Sequence, residues 1–225
     1  MIYFDNAATT KIYDDALTSY VQVSQKFFGN PSSLHQLGVD AHQVLTKARA
    51  QVASLLSVLP EEIFFTSGGT ESNNWAIKGT ALEKSVFGKH IITTKIEHPS
   101  VLQTCKQLER FGFEVTYLDV DSKGIVSVDQ LKDNLRKDTI LVSVMAVNNE
   151  VGAIQPIAEI AKVLEEYPSI HFHVDAVQAV ERASQLLAIG RIDLLSLSAH
   201  KFHGPRGVGI MYKKFGRKIQ ALLTG

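Results

Sequence analysis

The feature that most constrains this chain is an alternation. Short β-branched or aromatic runs change places with helical stretches along most of its length. Helical spacing over Ala41–Leu56 leads through Pro60 to the apolar run Ile63-Phe64-Phe65. Glu71–Leu82 then repeats the helical pattern before His90-Ile91-Ile92-Thr93-Thr94. The same spacing predicts helix over Pro99–Arg110, Val128–Arg136 and Ile157–Glu166, and strand over Glu114–Leu118, Ile140–Val147, Ile170–Val174, Leu194–Leu197 and Val208–Tyr212. Strands separated by helices of this length need crossover connections. The predicted fold is therefore α/β, a mainly parallel, doubly wound sheet covered on both faces. Such sheets take their ligands at the carboxyl ends of the strands.

Composition removes several function classes. With 23 Lys+Arg against 23 Asp+Glu there is no net field to draw in nucleic acid or an anionic membrane. The longest strongly apolar stretch, Ile140–Val147, is far short of the about 20 residues a bilayer requires, so no membrane partner is expected. One cysteine, Cys105, cannot form an internal disulfide, and Met1-Ile2-Tyr3-Phe4-Asp5-Asn6 carries neither a basic leader nor an apolar run. A cytoplasmic location is the expectation.

Polar residues collect where the strands end. Ser67-Gly68-Gly69-Thr70-Glu71 follows one strand and opens a helix, and glycines with free helix amides suit a phosphate. A plain N-cap with Glu71 is the alternative. His98, between a strand and Pro99, has the ring to stack on a flat ligand or shuttle a proton, though a turn residue looks the same. Asp175 emerges from the apolar run Phe172-His173-Val174 and needs a partner, either a protonated ring nitrogen or an arginine elsewhere in the fold. If a helix starts at Asp175, Gln178 shares its face. Asn148-Asn149-Glu150 offers an amide or merely a turn.

Lys201 is the sharpest signal. It stands between a hydrophobic strand and the Gly/Pro-rich His203-Gly204-Pro205-Arg206-Gly207 turn, with His200 and His203 around it. Burial and nearby positive charge are expected to lower its pKa and free its amine as a nucleophile. A zinc site on His200 and His203 is the rival. No adjoining carboxylate or cysteine completes a ligand set, so no metal is predicted. Phosphate cradle, stacking ring, carboxylate and lysine are together what pyridoxal phosphate (PLP) requires.

Taken in order, Asp5-Asn6-Ala7-Ala8-Thr9-Thr10, Asn30-Pro31-Ser32-Ser33-Leu34-His35, Gly69-Thr70-Glu71-Ser72-Asn73-Asn74, Glu97-His98, Asn148-Asn149-Glu150, His173-Val174-Asp175-Ala176-Val177-Gln178 and Ser198-Ala199-His200-Lys201 resemble the motif set of class-V PLP enzymes. The resemblance is greatest to the cysteine desulfurases. It implies the large domain of a fold-type-I PLP-dependent transferase, with residues 1–30 as an arm and 31–225 as the cofactor-binding domain. Lys201, Asp175 and His98 would be catalytic: the lysine holding the cofactor covalently, the carboxylate holding its pyridinium, the imidazole stacking and assisting proton transfer. Asn149 and Gln178 would contact the ring side. The Gly69 amide, Thr70, Ser198 and His200 would bind the phosphate, and Ala7 and Asn30 would border the substrate.

The resemblance further implies a homodimer that converts L-cysteine to L-alanine and passes sulfur, as an enzyme persulfide, to an acceptor such as an iron–sulfur scaffold or a thiolation enzyme. Gly69 and Ala199 replace the Ala and Gly of many members. Members of the family run longer, so the C-terminal small domain and the nucleophilic cysteine are expected to be absent here. Cys105 is read as a helix-packing residue, and the chain alone is expected to be inactive. An aminotransferase, a selenocysteine lyase or a non-catalytic PLP-binding fragment are the other readings.

Overall fold

A computed structural model describes residues 2–224. Its strands are β1 (Ile63–Thr66), β2 (His90–Thr94), β3 (Glu114–Leu118), β4 (Thr139–Met145), β5 (His171–Asp175), β6 (Leu194–Ser198) and β7 (Gly209–Lys213). The helices are α1 (Asp14–Lys26), α2 (Gln36–Leu56), α3 (Gly69–Lys84), α4 (Pro99–Glu109), α5 (Val128–Asn134), α6 (Ile157–Leu164) and α7 (Ala183–Ala188). Among the described residues the strands form one sheet in the order β1-β7-β6-β5-β4-β2-β3. β2 through β6 pair in parallel, and β7 runs antiparallel to both β1 and β6. The predicted mainly parallel sheet is present, with one reversed strand that no local pattern announced.

The two faces of the sheet are written into adjacent residues, because successive side chains on a strand point to opposite sides. Ile91 and Leu141 pack with Ile77 and Ala81 of α3 and Val101, Cys105 and Leu108 of α4. Their neighbours Ile92 and Val142 pack instead with Ala53 and Leu56 of α2, Leu131 of α5 and Ile160 and Leu164 of α6. Strands buried on both faces have no polar side to show, which is why every residue of β2, β4, β5 and β6 is buried. Each large apolar side chain removed from water contributes about 1.5–3 kcal/mol.

Histidines inside this core are satisfied rather than functional. His173 bonds Ser143 Oγ and Ser196 Oγ on the flanking strands at 2.8 and 2.9 Å. α1, within the arm expected over residues 1–30, is different, since none of its residues is buried. No helix among the described residues is long and apolar enough to cross a membrane.

Strand β2 is followed in sequence by β3 on one side and, beyond it, by β4 on the other. The order of strands therefore reverses at β2, and a crevice opens beyond the carboxyl ends there. His98 follows β2, Asn149 follows β4 and Asp175 ends β5.

Candidate active site

Thr66 ends β1, and α3 begins three residues on at Gly69. The turn is held by Thr66 Oγ1, 2.8 Å from Ser72 Oγ, and by Glu71, whose Oε2 accepts from the Ser67 amide at 2.7 Å. No side chain caps α3 itself, so its first-turn amides and the positive end of its dipole stay available to an anion. Close approach demands glycine at 209, where the neighbour is backbone, and leaves little room at 69, where the neighbour is a side-chain methyl. A Cβ on Gly209 would lie 2.5 Å from Gly68 Cα, and one on Gly69 would lie 2.6 Å from Val177 Cγ2. Thr9, Thr70, Ser198, His200 and Arg206 surround the same turn. Burial first, then the Lys201 and Arg206 charges, hold the His200 imidazole below its ordinary pKa. Arg206 had no role in the sequence reading, because its distance from Gly69 in the chain gave no local sign of their meeting.

Two buried carboxylates, Asp175 at the end of β5 and Asp193 just before β6, show what Asp175 lacks. Asp193 is paired with Arg191 at 2.6 Å and Arg217 at 2.7 Å. Asp175 accepts only from neutral donors, Asn73 Nδ2 at 2.7 Å and the Val177 amide at 3.0 Å. Among the described residues no arginine pairs with it, so the arginine alternative is excluded for them. Burial raises its pKa, opposed by these two hydrogen bonds and by His98 and Lys201. A carboxylate kept buried without a cation favours any cationic group brought against it. No helix starts at Asp175. Gln178 reaches the same cleft through a turn that precedes a 3₁₀ segment at Val180–Arg182.

Lys201 closes another 3₁₀ turn, Ala199–Lys201, directly after β6. Its Nζ donates to the Ala7 carbonyl at 2.5 Å, and Gln178 Nε2 donates to the same oxygen at 2.8 Å. The segment that supplies this carbonyl is strapped down by Thr10, whose N–H and hydroxyl both donate to the His200 carbonyl. His203 extends the strap, with its amide donating to Thr10 Oγ1 at 2.7 Å and its ring stacked on Tyr13 at 4.1 Å. His203 thus holds the chain in place, and among the described residues no group of three or more His, Cys, Asp or Glu is placed to bind a metal. Burial lowers the Lys201 pKa, as the sequence suggested. The expected positive neighbours do not contribute, and its charged surroundings are Asp175, Asp5 and Glu150, which oppose the shift.

His98 is the N-cap of α4, with Nδ1 accepting from the Ser100 amide at 3.1 Å and lying 2.8 Å from Ser100 Oγ. Asn149 donates to Glu150 at 2.6 Å and lines the cleft. Gly69, Thr70, His98, Asn149, Asp175, Gln178, Ser198, His200 and Lys201 thus converge on one cavity of about 240 Å³, joined by Asn73, Ser100 and Ala8. Asn30 does not line it. Asn30 instead sits exposed in the turn before α2, where its Oδ1 accepts from Ser32. Cys105 is fully buried among α3, α4, β2 and β4 side chains, away from the lining, with burial pushing its thiol up to about 12. The cleft can hold an anionic group at the start of α3, a cationic atom at Asp175 and a carbonyl carbon at Lys201.

The aminotransferase class-V family model matches residues 2–225. A "NifS/IcsS protein homolog" of Lactobacillus delbrueckii subsp. bulgaricus is 58% identical over the whole chain, and "Cysteine desulfurase IscS" of Dictyoglomus turgidum is 49% identical. The chain spans 59% and 57% of the length of these relatives. Among solved structures, one titled "NIFS-LIKE PROTEIN" superposes with a TM-score of 0.93 at 43% identity, covering all of this chain and 62% of that one. Another, "SspA in complex with cysteine", superposes at 0.95 and 39% identity, covering 65% of that chain. In sequence and in fold, this chain belongs to the class-V aminotransferase family.

Proposed function

We propose that the cleft is the PLP site of a cysteine desulfurase, in the part of that enzyme which this chain spans. The observation that carries the reading is Asp175, a buried carboxylate without a cationic partner among the described residues, in one cleft with the Lys201 amine and an uncapped helix start. These groups fit a pyridinium, an aldehyde and a phosphate. When bound, the cofactor supplies an electron sink for charge developing on the substrate.

Lys201 is the residue that holds the aldehyde carbon, and its burial raises the share of unprotonated amine. The Gly69 amide, Thr70, Ser198 and His200 hold the phosphate, Asn149 and Gln178 the ring, and Asp175 the ring nitrogen. His98 is the stacking group and carries the proton, with the Ala7 segment bordering the substrate, while Asn30 lies outside the cleft. L-cysteine is the substrate favoured by the names of the relatives and by the cysteine in one of them. Cys105 is too deeply buried to take sulfur. The persulfide thiol is therefore proposed to lie outside these residues, in a homodimeric, cytoplasmic protein that hands sulfur to an acceptor protein. Exposed apolar side chains near the start of the chain, Phe4, Phe28 and Leu34 among them, support burial against further protein.

The test is product analysis of the full-length protein that contains this chain, loaded with PLP. Equal amounts of alanine and sulfide from L-cysteine in the presence of a thiol support the reading. Amino transfer to a keto acid without sulfide would replace it with an aminotransferase, and turnover of selenocysteine alone with a selenocysteine lyase.

A further inference from the structure

Four side chains from three separate parts of the chain form one continuous hydrogen-bonded line at the cleft. Asp175 Oδ2 accepts from Asn73 Nδ2 at 2.7 Å, and the same amide nitrogen donates to Ser100 Oγ at 2.9 Å. Ser100 Oγ then lies 2.8 Å from His98 Nδ1, which also receives the Ser100 amide at 3.1 Å. Asn73 on α3 and Ser100 on α4 are buried at the wall of the cleft, and their polar atoms on this line are taken up by one another and by Asp175 and His98.

The direction of every proton in this line follows from its charged end. A carboxylate only accepts, so Asn73 must present its NH₂ to Asp175. Turned over, the amide would set Oδ1 against the carboxylate, two acceptors facing each other. In the orientation adopted, Oδ1 is left with no partner, a cost retained only if the other arrangement is worse. The second N–H of the amide goes to Ser100 Oγ, which leaves the hydroxyl proton free for His98 Nδ1. That nitrogen then accepts from both an N–H and an O–H, and a neutral His98 has to carry its own proton on Nε2.

We propose that Asn73 and Ser100 are positioning residues that couple the charge on Asp175 to the tautomer of His98, so that His98 meets the cleft as an N–H donor. This rests on the cofactor-site reading for its purpose, though the coupling itself belongs to the chain alone. His98 reaches the substrate side already holding a proton, and the carboxylate that sets this is the one assigned to the ring nitrogen.

The experiment is nitrogen-15 NMR of histidine-labelled protein in alkaline buffer, where imidazoles are neutral, with and without PLP. His98→Gln assigns the signals. A pyridine-like Nδ1 and a pyrrole-like Nε2 are expected. Ser100→Ala should move the Nδ1 resonance toward that of an imidazole nitrogen lacking the hydroxyl bond, and Ser100→Thr, which keeps the hydroxyl, should restore it. Asn73→Leu should shift Nδ1 in the same direction, because the unanchored hydroxyl is free to turn. Amide spectra confirm which variants fold. A pyrrole-like Nδ1 in the unaltered protein overturns the proposal, as does an Nδ1 signal indifferent to Ser100→Ala. Since the spectra are read without cofactor as well, they fail or succeed independently of whether Lys201 holds PLP.

Discussion

The backbone carbonyl of Ala7 accepts from the Lys201 ammonium across a sequence separation of 194 residues. It is there because Thr10 ties the segment to the loop around Lys201, bonding the His200 carbonyl at 2.9 Å and accepting from the His203 amide at 2.7 Å. Thr10→Val keeps the shape and removes both bonds, leaving a part-buried N–H without a partner. It should cost about 1–2 kcal/mol in urea denaturation and speed PLP dissociation. Unchanged stability and cofactor retention would show that the strap is incidental.

Asp175 offers a trade between stability and binding. In Asp175→Asn the buried charge disappears, the Val177 amide keeps an acceptor, and Asn73 can turn its Oδ1 to accept from the new amide and the Ser100 hydroxyl, exchanging a partnerless oxygen for a partnerless NH₂. The cofactor-free protein should melt about 2–4 °C higher, corresponding to about 1 kcal/mol for a chain of this size. PLP affinity should fall at least about tenfold, since a neutral amide does not hold a pyridinium. A lower melting temperature would mean that the carboxylate is structural.

The pH dependence of stability has two limbs with separate causes. Burial lowers His171 and His173 from the ordinary 6.5 to about 3, so between those values the unfolded chain binds more protons and stability is lost as pH falls. Burial raises Glu97 from 4.5 to about 8, so there the folded chain binds more protons and stability is lost as pH rises toward 8. Stability should peak near pH 6.5, about where the histidine contribution is complete. Glu97→Gln keeps an oxygen for the Thr94 hydroxyl and the Met145 amide and should flatten the alkaline limb in thermal melts across pH. A limb unchanged in that variant would shift its cause to Asp175, whose pKa is raised in the same sense.

Cys105 packs against Ile77, Ile91, Val101 and Leu141, and both its burial and its raised pKa suppress the thiolate. A thiol reagent should label it only at the rate of unfolding. In the full-length protein Cys105→Ser should leave sulfide production intact while costing about 1–3 kcal/mol for an unpartnered buried hydroxyl. Rapid labelling of the folded chain would place this thiol within reach of substrate.

Much of this was readable beforehand, for physical reasons that also set the limit. Ile91-Ile92 and Leu141-Val142 read as strands buried on both faces, since adjacent apolar side chains on a strand point to opposite sides. Lys201 and Asp175 stood out because a charge at the end of an apolar run must have a purpose. The reversal of β7 escaped because strand direction depends on the path of the chain, not on composition. Asn73 and Ser100 escaped because their partners lie up to 102 residues away. One sign was present: Ser72, Asn73, Ala76, Ile77 and Thr80 share the buried side of α3, and polar residues on such a stripe require buried partners. Asn30, by contrast, carried a role from its motif that its exposed turn does not reproduce.

The central claim is that Lys201 holds the cofactor. Incubation with PLP, reduction with borohydride and peptide mapping by mass spectrometry tests it most directly. The account predicts a pyridoxyl group on Lys201, and a Lys201→Ala variant that loses both the label and the yellow colour. Recovery of the label on another lysine, with Lys201→Ala still yellow, would contradict it.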